Sequence, residues 1–261
     1  MDVPRTVTAA LEDRPVDGAV CLEAGAGAGN ATAGLLANGA TEVYAVTDDR
    51  THAETALERV PVERDAADSD RGETRTGVGT GSTSEQRLAV LEADLRAIPL
   101  PDDAVEVITA HGLFNVVPPA DLDAIVAELT RVAAPGCHLV VDDYEPLPDD
   151  AAVRDLFALE NAAAELVDGE PMLSFYSSET LRRLFVGYGW ERDRRRTLLD
   201  PVPWTASHLE AHAAAVRSRV DALPADSEVG PALLERADAL VDTIGAESVG
   251  EMYSIALRRP E

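Results

Sequence analysis

Apolar residues along this chain come in short runs that alternate with amphipathic stretches, and the two periods predict strands and helices in turn. Ala19–Leu22 (AVCL) reads as a first strand and Glu42–Thr47 (EVYAVT) as a second. Gln86–Ala93 (QRLAVLEA), Ala104–Ala110 (AVEVITA) and Cys137–Val141 (CHLVV) follow as the third, fourth and fifth. Helical runs lie between them at Ala31–Asn38, closed by Gly39, at Arg50–Val60, and at Pro119–Ala133. In the last of these Leu122, Ile125, Val126 and Leu129 recur at helical spacing, and Pro135-Gly136 breaks the pattern. Strand–helix alternation with short joints predicts a mostly parallel sheet with helices on both faces. Helices at Ala151–Val167 and Ser177–Val186, the latter with Ser178 as N-cap, lead to strands at Glu191–Leu199 and Glu251–Arg258, which bring the sheet to seven strands.

Three segments stand outside that alternation. Residues 1–18 carry one short helix around Val7–Glu12, ending before Pro15. Residues 61–84 are rich in Asp, Arg, Gly, Ser and Thr and nearly free of large apolar side chains, which predicts an exposed, flexible loop. Residues 201–250 hold two helices, about Ala206–Leu223 and Pro231–Ile244. They form a helical insertion before the last strand and the leading candidate for a substrate cover. No internal repeat is evident, and residues 1–261 read as a single domain.

The chemistry concentrates where the first strand ends. Glu23 closes it, Gly25, Gly27 and Gly29 alternate with alanines, and a helix follows at once. Such a turn lets a ligand approach the peptide groups without Cβ interference, and the unpaired N–H groups of the helix face it. With Asp48-Asp49 after the second strand, this is the nucleotide-binding half of a doubly wound, Rossmann-like α/β domain. A dinucleotide fingerprint, G-x-G-x-x-G, needs a third glycine where Asn30 stands.

The pattern present is E-x-G-x-G-x-G, from Glu23 to Gly29, and with it the chain resembles the class I S-adenosylmethionine (SAM) dependent methyltransferases of type 11. The run ADLRAIPLPDDAVEVI from Ala93 to Ile108 resembles the segment joining the third and fourth strands of that family. The helix ending at Pro135-Gly136 before CHLVV follows the family's order, and the similarity runs from Val16 to Asp143. The resemblance implies SAM as cofactor. It implies that Glu23, Gly25, Gly27 and Gly29 hold its methionine part, that Asp94 binds the adenine amino group, and that Leu95 lies against the ring. The family's ribose-binding acid falls on Thr47 here, so that contact passes to Asp48, favoured over Asp49. His111, at the end of the fourth strand, is the candidate to line the cofactor pocket or to take a proton from the acceptor.

Charge and absences narrow the partners. Acids number 48 against 22 bases, every base is arginine, and the net charge is −26. Acids scattered through helices and turns predict a haloarchaeal-type protein of a very salty cytoplasm, where screening weakens self-repulsion. Such a surface disfavours nucleic acid. The N-terminus lacks the apolar core of a signal peptide, and no stretch reaches membrane-spanning length. Cys21 and Cys137 fall in predicted core strands, as buried thiols rather than nucleophiles. No N-P-P-Y-like run follows the fourth strand, and Thr109-Ala110-His111 lacks the acid of metal-dependent catechol-type relatives. A cation on Asp142, Asp143 and Glu145 would be weakly signalled in so acidic a chain, and no metal is expected. A small-molecule methyl acceptor remains by elimination. The competing readings are a SAM-binding protein without turnover and, disfavoured by Asn30, an NAD-dependent oxidoreductase. Trp204 and His208 in the insertion are placed to meet a substrate, although a surface role is the default for a helical His. Tyr176, Tyr188 and Trp190 read as core or edge aromatics rather than a cation cage.

Overall fold

A computed structural model describes residues 3–59, 79–83, 86–224 and 226–261. Its elements run α1 (Arg5–Leu11), β1 (Val20–Ala24), α2 (Asn30–Ala37), β2 (Glu42–Thr47), α3 (Arg50–Arg59), β3 (Gly79–Thr83), β4 (Gln86–Glu92) and β5 (Val105–His111). A 3-10 turn at Phe114–Val116 precedes α4 (Leu122–Val132), β6 (Ala133–Tyr144), α5 (Val153–Asp168), α6 (Ser178–Gly187) and β7 (Glu191–Leu199). The chain ends with β8 (Pro203–Trp204), α7 (Ala206–Asp221), α8 (Val229–Ile244), β9 (Glu247–Ser248) and β10 (Met252–Arg258).

All seven expected strands lie in one sheet, in the order β4-β2-β1-β5-β6-β10-β7, with β3 added beside β4. β1, β2, β4, β5 and β6 are parallel, while β10 runs antiparallel between β6 and β7. Strand alternation splits the core in two. On one face Cys21, Val43, Ala45 and Leu88 pack under α1, α2 and α3; on the other, Leu22, Ile108, Leu139 and Ile255 pack under α4 and α6. The order of connection reverses between β1 and β5, so the ligand crevice of such a sheet opens beyond their carboxyl ends.

Several boundaries depart from expectation. Within the segment read as a loop, Gly79–Thr83 pairs antiparallel with β4 and makes an eighth, edge strand; residues 61–78 and 84 lie outside the described residues. GTGST has no apolar alternation to announce it, because a strand at a sheet edge can be held by ladder hydrogen bonds alone. Ser177, not Ser178, caps α6: its Oγ accepts the N–H of Thr180 at 3.2 Å, while the Ser178 hydroxyl donates to Glu145. β6 begins at Ala133, because a register shift opposite Val105/Val107 accommodates Pro135-Gly136 inside the strand.

The arginines of β7 are bound, not presented. Arg194 and Arg196 pair with Asp13 at 3.0 Å each, and Arg195 reaches Glu145 and Glu251 at 3.1 and 2.8 Å. The N-terminal helix is thereby tied to the far end of the sheet. Trp190 donates to Thr130 Oγ1, Tyr176 to the Val117 carbonyl and Tyr188 to the Asp123 carbonyl, which accounts for all three as packing aromatics. Both cysteines are buried, and burial pushes the Cys21 thiol up to about 12. Among the described residues no helix is long and apolar enough to cross a membrane.

Candidate cofactor and acceptor site

The glycine turn leaves β1 at its carboxyl end, and all three glycines hold positive φ: +73° at Gly25, +47° at Gly27 and +73° at Gly29. A Cβ on Gly25 would stand 2.7 Å from Leu113 Cδ1, and one on Gly29 would stand 3.2 Å from Ala56 Cα. A Cβ on Gly27 would meet nothing nearer than the Gly25 carbonyl at 3.9 Å. Two glycines are therefore fixed by packing, and the middle one leaves open space beside the backbone.

Glu23 is buried at 2% exposure, and its carboxylate accepts the N–H groups of Ala31 at 3.2 Å and Thr32 at 2.7 Å, together with the Thr32 hydroxyl. It ties the strand end to the first turn of α2, which lacks any side-chain cap of its own. Burial pushes its pKa up to about 7 against those donors and the charge of His111.

The two acids after β2 have different occupations. Asp49 accepts the N–H groups of Thr51 at 2.7 Å and His52 at 3.0 Å, the geometry of a cap on α3. Asp48 is exposed beside it, past the buried Thr47 at which the strand ends. Asp94, after β4, is exposed and held by Arg96, which bonds both carboxylate oxygens and continues to Asp121 at 2.8 Å. That grip holds the Asp94 pKa below the usual carboxylate range, against the slight opposing effect of burial. Leu95 is half-buried against the core on the α4 side.

A second cluster stands at the ends of β5 and β6. His111 Nδ1 lies 3.2 Å from Asp142 Oδ2. Burial pulls the imidazole down, but the bond and charge of Asp142, with the charges of Glu23 and Asp143, outweigh it and leave the His111 pKa raised. Asp143 accepts the N–H groups of Asn115 and Tyr144 at 2.9 and 2.8 Å, and burial pushes it up to about 7. Asp142 Oδ1 and Asn115 Oδ1 are buried and find no hydrogen-bond partner among the described residues. Unpaired buried acceptors are costly, and a ligand with N–H donors or positive charge would satisfy them.

From this cluster a cavity of about 270 Å³ runs under the helical insertion, lined among others by Asn115, Tyr144, Phe175, Trp204, His208 and His212. Tyr144, Phe175 and Trp204 line it together with Leu173, Leu199 and Val202; Trp204 lies 5.4 Å from Tyr144, and behind the wall Phe157 packs on Trp204 at 5.1 Å and stacks on Phe175 at 5.5 Å between ring centroids. The cover holds together because Ala163, Ala213 and Ala237 let α5, α7 and α8 approach closely. His208 serves partly as structure, closing a capping box with Thr205 at the start of α7. His212, one turn later, was not singled out by the sequence; its Nδ1 lies 2.6 Å from Glu160 Oε2. The helical spacing of His208 and His212 was the available signal.

Residues 22–141 match the model of a methyltransferase domain. Over that stretch the chain resembles the class I S-adenosylmethionine-dependent methyltransferases. The methyltransferase match spans β1 to β6 and so contains the glycine turn, the acids after β2 and β4, and His111. A demethylmenaquinone methyltransferase of Thermus thermophilus is 45% identical over 62 residues, which is 23% of this chain and 27% of that relative's length. The solved structure of a putative methyltransferase of Bacillus halodurans shares the fold at TM-score 0.60 and 13% identity, covering 98% of this chain and 99% of that one. A mycolic acid cyclopropane synthase complexed with S-adenosylhomocysteine (SAH) aligns at TM-score 0.57 and 14% identity, over 97% of this chain and 82% of its own.

Proposed function

We propose that this protein transfers a methyl group from SAM to a small-molecule acceptor held in the cavity beneath α7. The observation that carries the reading is continuity: Asn115 and Tyr144, at the carboxyl ends of β5 and β6, line the same cavity as Trp204 and His212 of the cover. Cofactor cleft and acceptor pocket would thus meet at one sheet edge. The residues present suit the cofactor. The open space at Gly27 accepts close approach to backbone, and the unpaired Asp142 and Asn115 oxygens await N–H donors. Buried acids favour a molecule carrying both an ammonium and a sulfonium. Glu23, Gly25, Gly27 and Gly29 would hold its methionine part, Asp48 the ribose, and Asp94 with Leu95 the adenine. When bound, SAM supplies an electrophilic methyl group.

The chain's own contribution is mainly positioning, which for a well-aligned pair of reactants lowers a barrier by roughly 7–11 kcal/mol. The aromatic walls bind and orient the acceptor, and the cover excludes water from the reacting atoms. His111, anchored by Asp142, would line the junction as a pairing partner for nearby charge. The demethylmenaquinone relative and the aromatic cavity both favour a ring-bearing acceptor. The excess of acids supports a cytoplasm of high salt as the working environment.

Incubation with radiolabelled SAM and fractionated cell extract in concentrated potassium chloride tests turnover. Label transferred to a small organic compound supports the reading. SAH binding without transfer to any fraction would favour a binder over an enzyme.

A further inference from the structure

Glu160 on α5 is 3% exposed and among the described residues forms no ion pair with an arginine; its Oε2 lies 2.6 Å from His212 Nδ1 on α7. A carboxylate only accepts, so Nδ1 carries the hydrogen and donates it, which fixes the tautomer. The ring is also clamped by Phe157, 4.5 Å between centroids. Nε2 on the other side of the ring is left as an acceptor, and among the described residues no hydrogen bond to it is formed. His212 lines the aromatic cavity with part of its side chain accessible. A buried carboxylate orienting an imidazole whose second nitrogen is free at a ligand cavity is the construction of a general base.

We infer that His212, oriented by Glu160, is the base that deprotonates the acceptor, and that the acceptor is a planar aromatic ring bearing an acidic hydroxyl. The inference rests on the proposed methyl-transfer reading and names its substrate class. Tyr144, Phe175 and Trp204, with Leu173, Leu199 and Val202 beside them, favour a flat apolar body, and the His212 imidazole among them favours a single O–H to pair with it. In the step, the hydroxyl proton passes to Nε2 while the oxygen forms a bond to the methyl carbon of a sulfonium donor. The carbon–sulfur bond breaks with its electron pair returning to sulfur, which leaves as a neutral thioether. The imidazolium is held by the Glu160 carboxylate and then loses its proton to water. His212 is the catalytic residue and Glu160 its positioning residue.

The probe is 4-nitrophenol, whose phenolate absorbs apart from its phenol, with 4-nitroanisole as the analogue lacking the proton. Both are titrated into the full chain at one fixed pH in concentrated potassium chloride, with and without SAH. Wild type should bind 4-nitrophenol in a form at least about tenfold more ionised than the free probe, equivalent to one pKa unit. His212→Phe, which keeps the packing on Phe157, and Glu160→Gln, which keeps the shape and removes the charge, should each abolish that excess. Both variants should still bind 4-nitroanisole, and neither should alter SAH affinity by more than about twofold. Binding of neutral 4-nitrophenol to wild type, equal ionisation in wild type and variants, or no binding in either condition would overturn the inference. The wild-type spectrum decides the matter alone if a variant does not fold. Loss of the ionisation effect with SAH binding intact removes His212 while leaving the methyltransferase reading standing. The reverse outcome, ionised probe with no SAH binding, leaves the base and removes that reading.

Discussion

Glu23 Oε2 accepts the backbone N–H of Thr32 at 2.7 Å, so the acid that ends β1 is anchored to the first turn of α2 across the glycine turn. Its place in the motif is thus structural as well as electrostatic. Replacing it with alanine leaves the N–H groups of Ala31 and Thr32 without their partner. Glu23→Ala should destabilise the fold by about 1–3 kcal/mol in denaturant unfolding, and Glu23→Gln by less. Full stability in Glu23→Ala would show that the turn holds itself.

The raised pKa values of Glu23 and Asp143 give a signed pH dependence. Each rises to about 7, from 4.5 for Glu23 and 3.8 for Asp143, so in that interval the folded state binds more protons than the unfolded. Their contribution to stability is full below those ordinary values and is lost as pH rises through about 7. Affinity for the cationic cofactor moves oppositely, rising as the carboxylates ionise, and binding near pH 6 should release protons. Calorimetry of SAM binding in two buffers of different ionisation enthalpy measures that release. Proton uptake would contradict the assignment.

Gly25 and Gly27 separate packing from ligand approach. Gly25→Ala brings a Cβ to 2.7 Å from Leu113 at a left-handed φ, and should cost both stability and binding. Gly27→Ala meets no protein atom within 3.9 Å, so it should cost only about 1–2 kcal/mol of stability while weakening SAH binding at least about tenfold. Equal loss of binding and folding in Gly27→Ala would remove the turn from the cofactor site.

Among the exposed acids, Asp94→Ala should weaken SAH binding by about 1.5–3 kcal/mol, the worth of a hydrogen bond to a charged group. Asp48→Ala should do likewise, whereas Asp49→Ala should lower thermal stability by about 1 kcal/mol through lost capping and leave affinity in place. Affinity lost in Asp49→Ala but not in Asp48→Ala would exchange the two assignments.

Elements with strong periodicity were legible from sequence: α4 shows Ile125, Val126 and Leu129 on one buried face, and β7 keeps the bounds expected of it. The glycine turn was legible because its backbone demands one residue type. Relationships across the fold were not. Glu160 and His212 are 52 residues apart, each on a helix whose periodicity tells which face is buried but not which neighbour it meets. Arg96 lies only two residues from Asp94, yet the sequence treats the acid as free for a ligand, while the structure gives it a partner already. β3 escaped because Gly79–Thr83 has no apolar side to bury.

Calorimetric titration of SAH and of NAD into the full chain in concentrated potassium chloride tests the central claim most directly. The account predicts one SAH per chain, a loss of affinity in Asp94→Ala, and no heat from NAD. NAD binding, or the absence of SAH binding to folded protein, would contradict it.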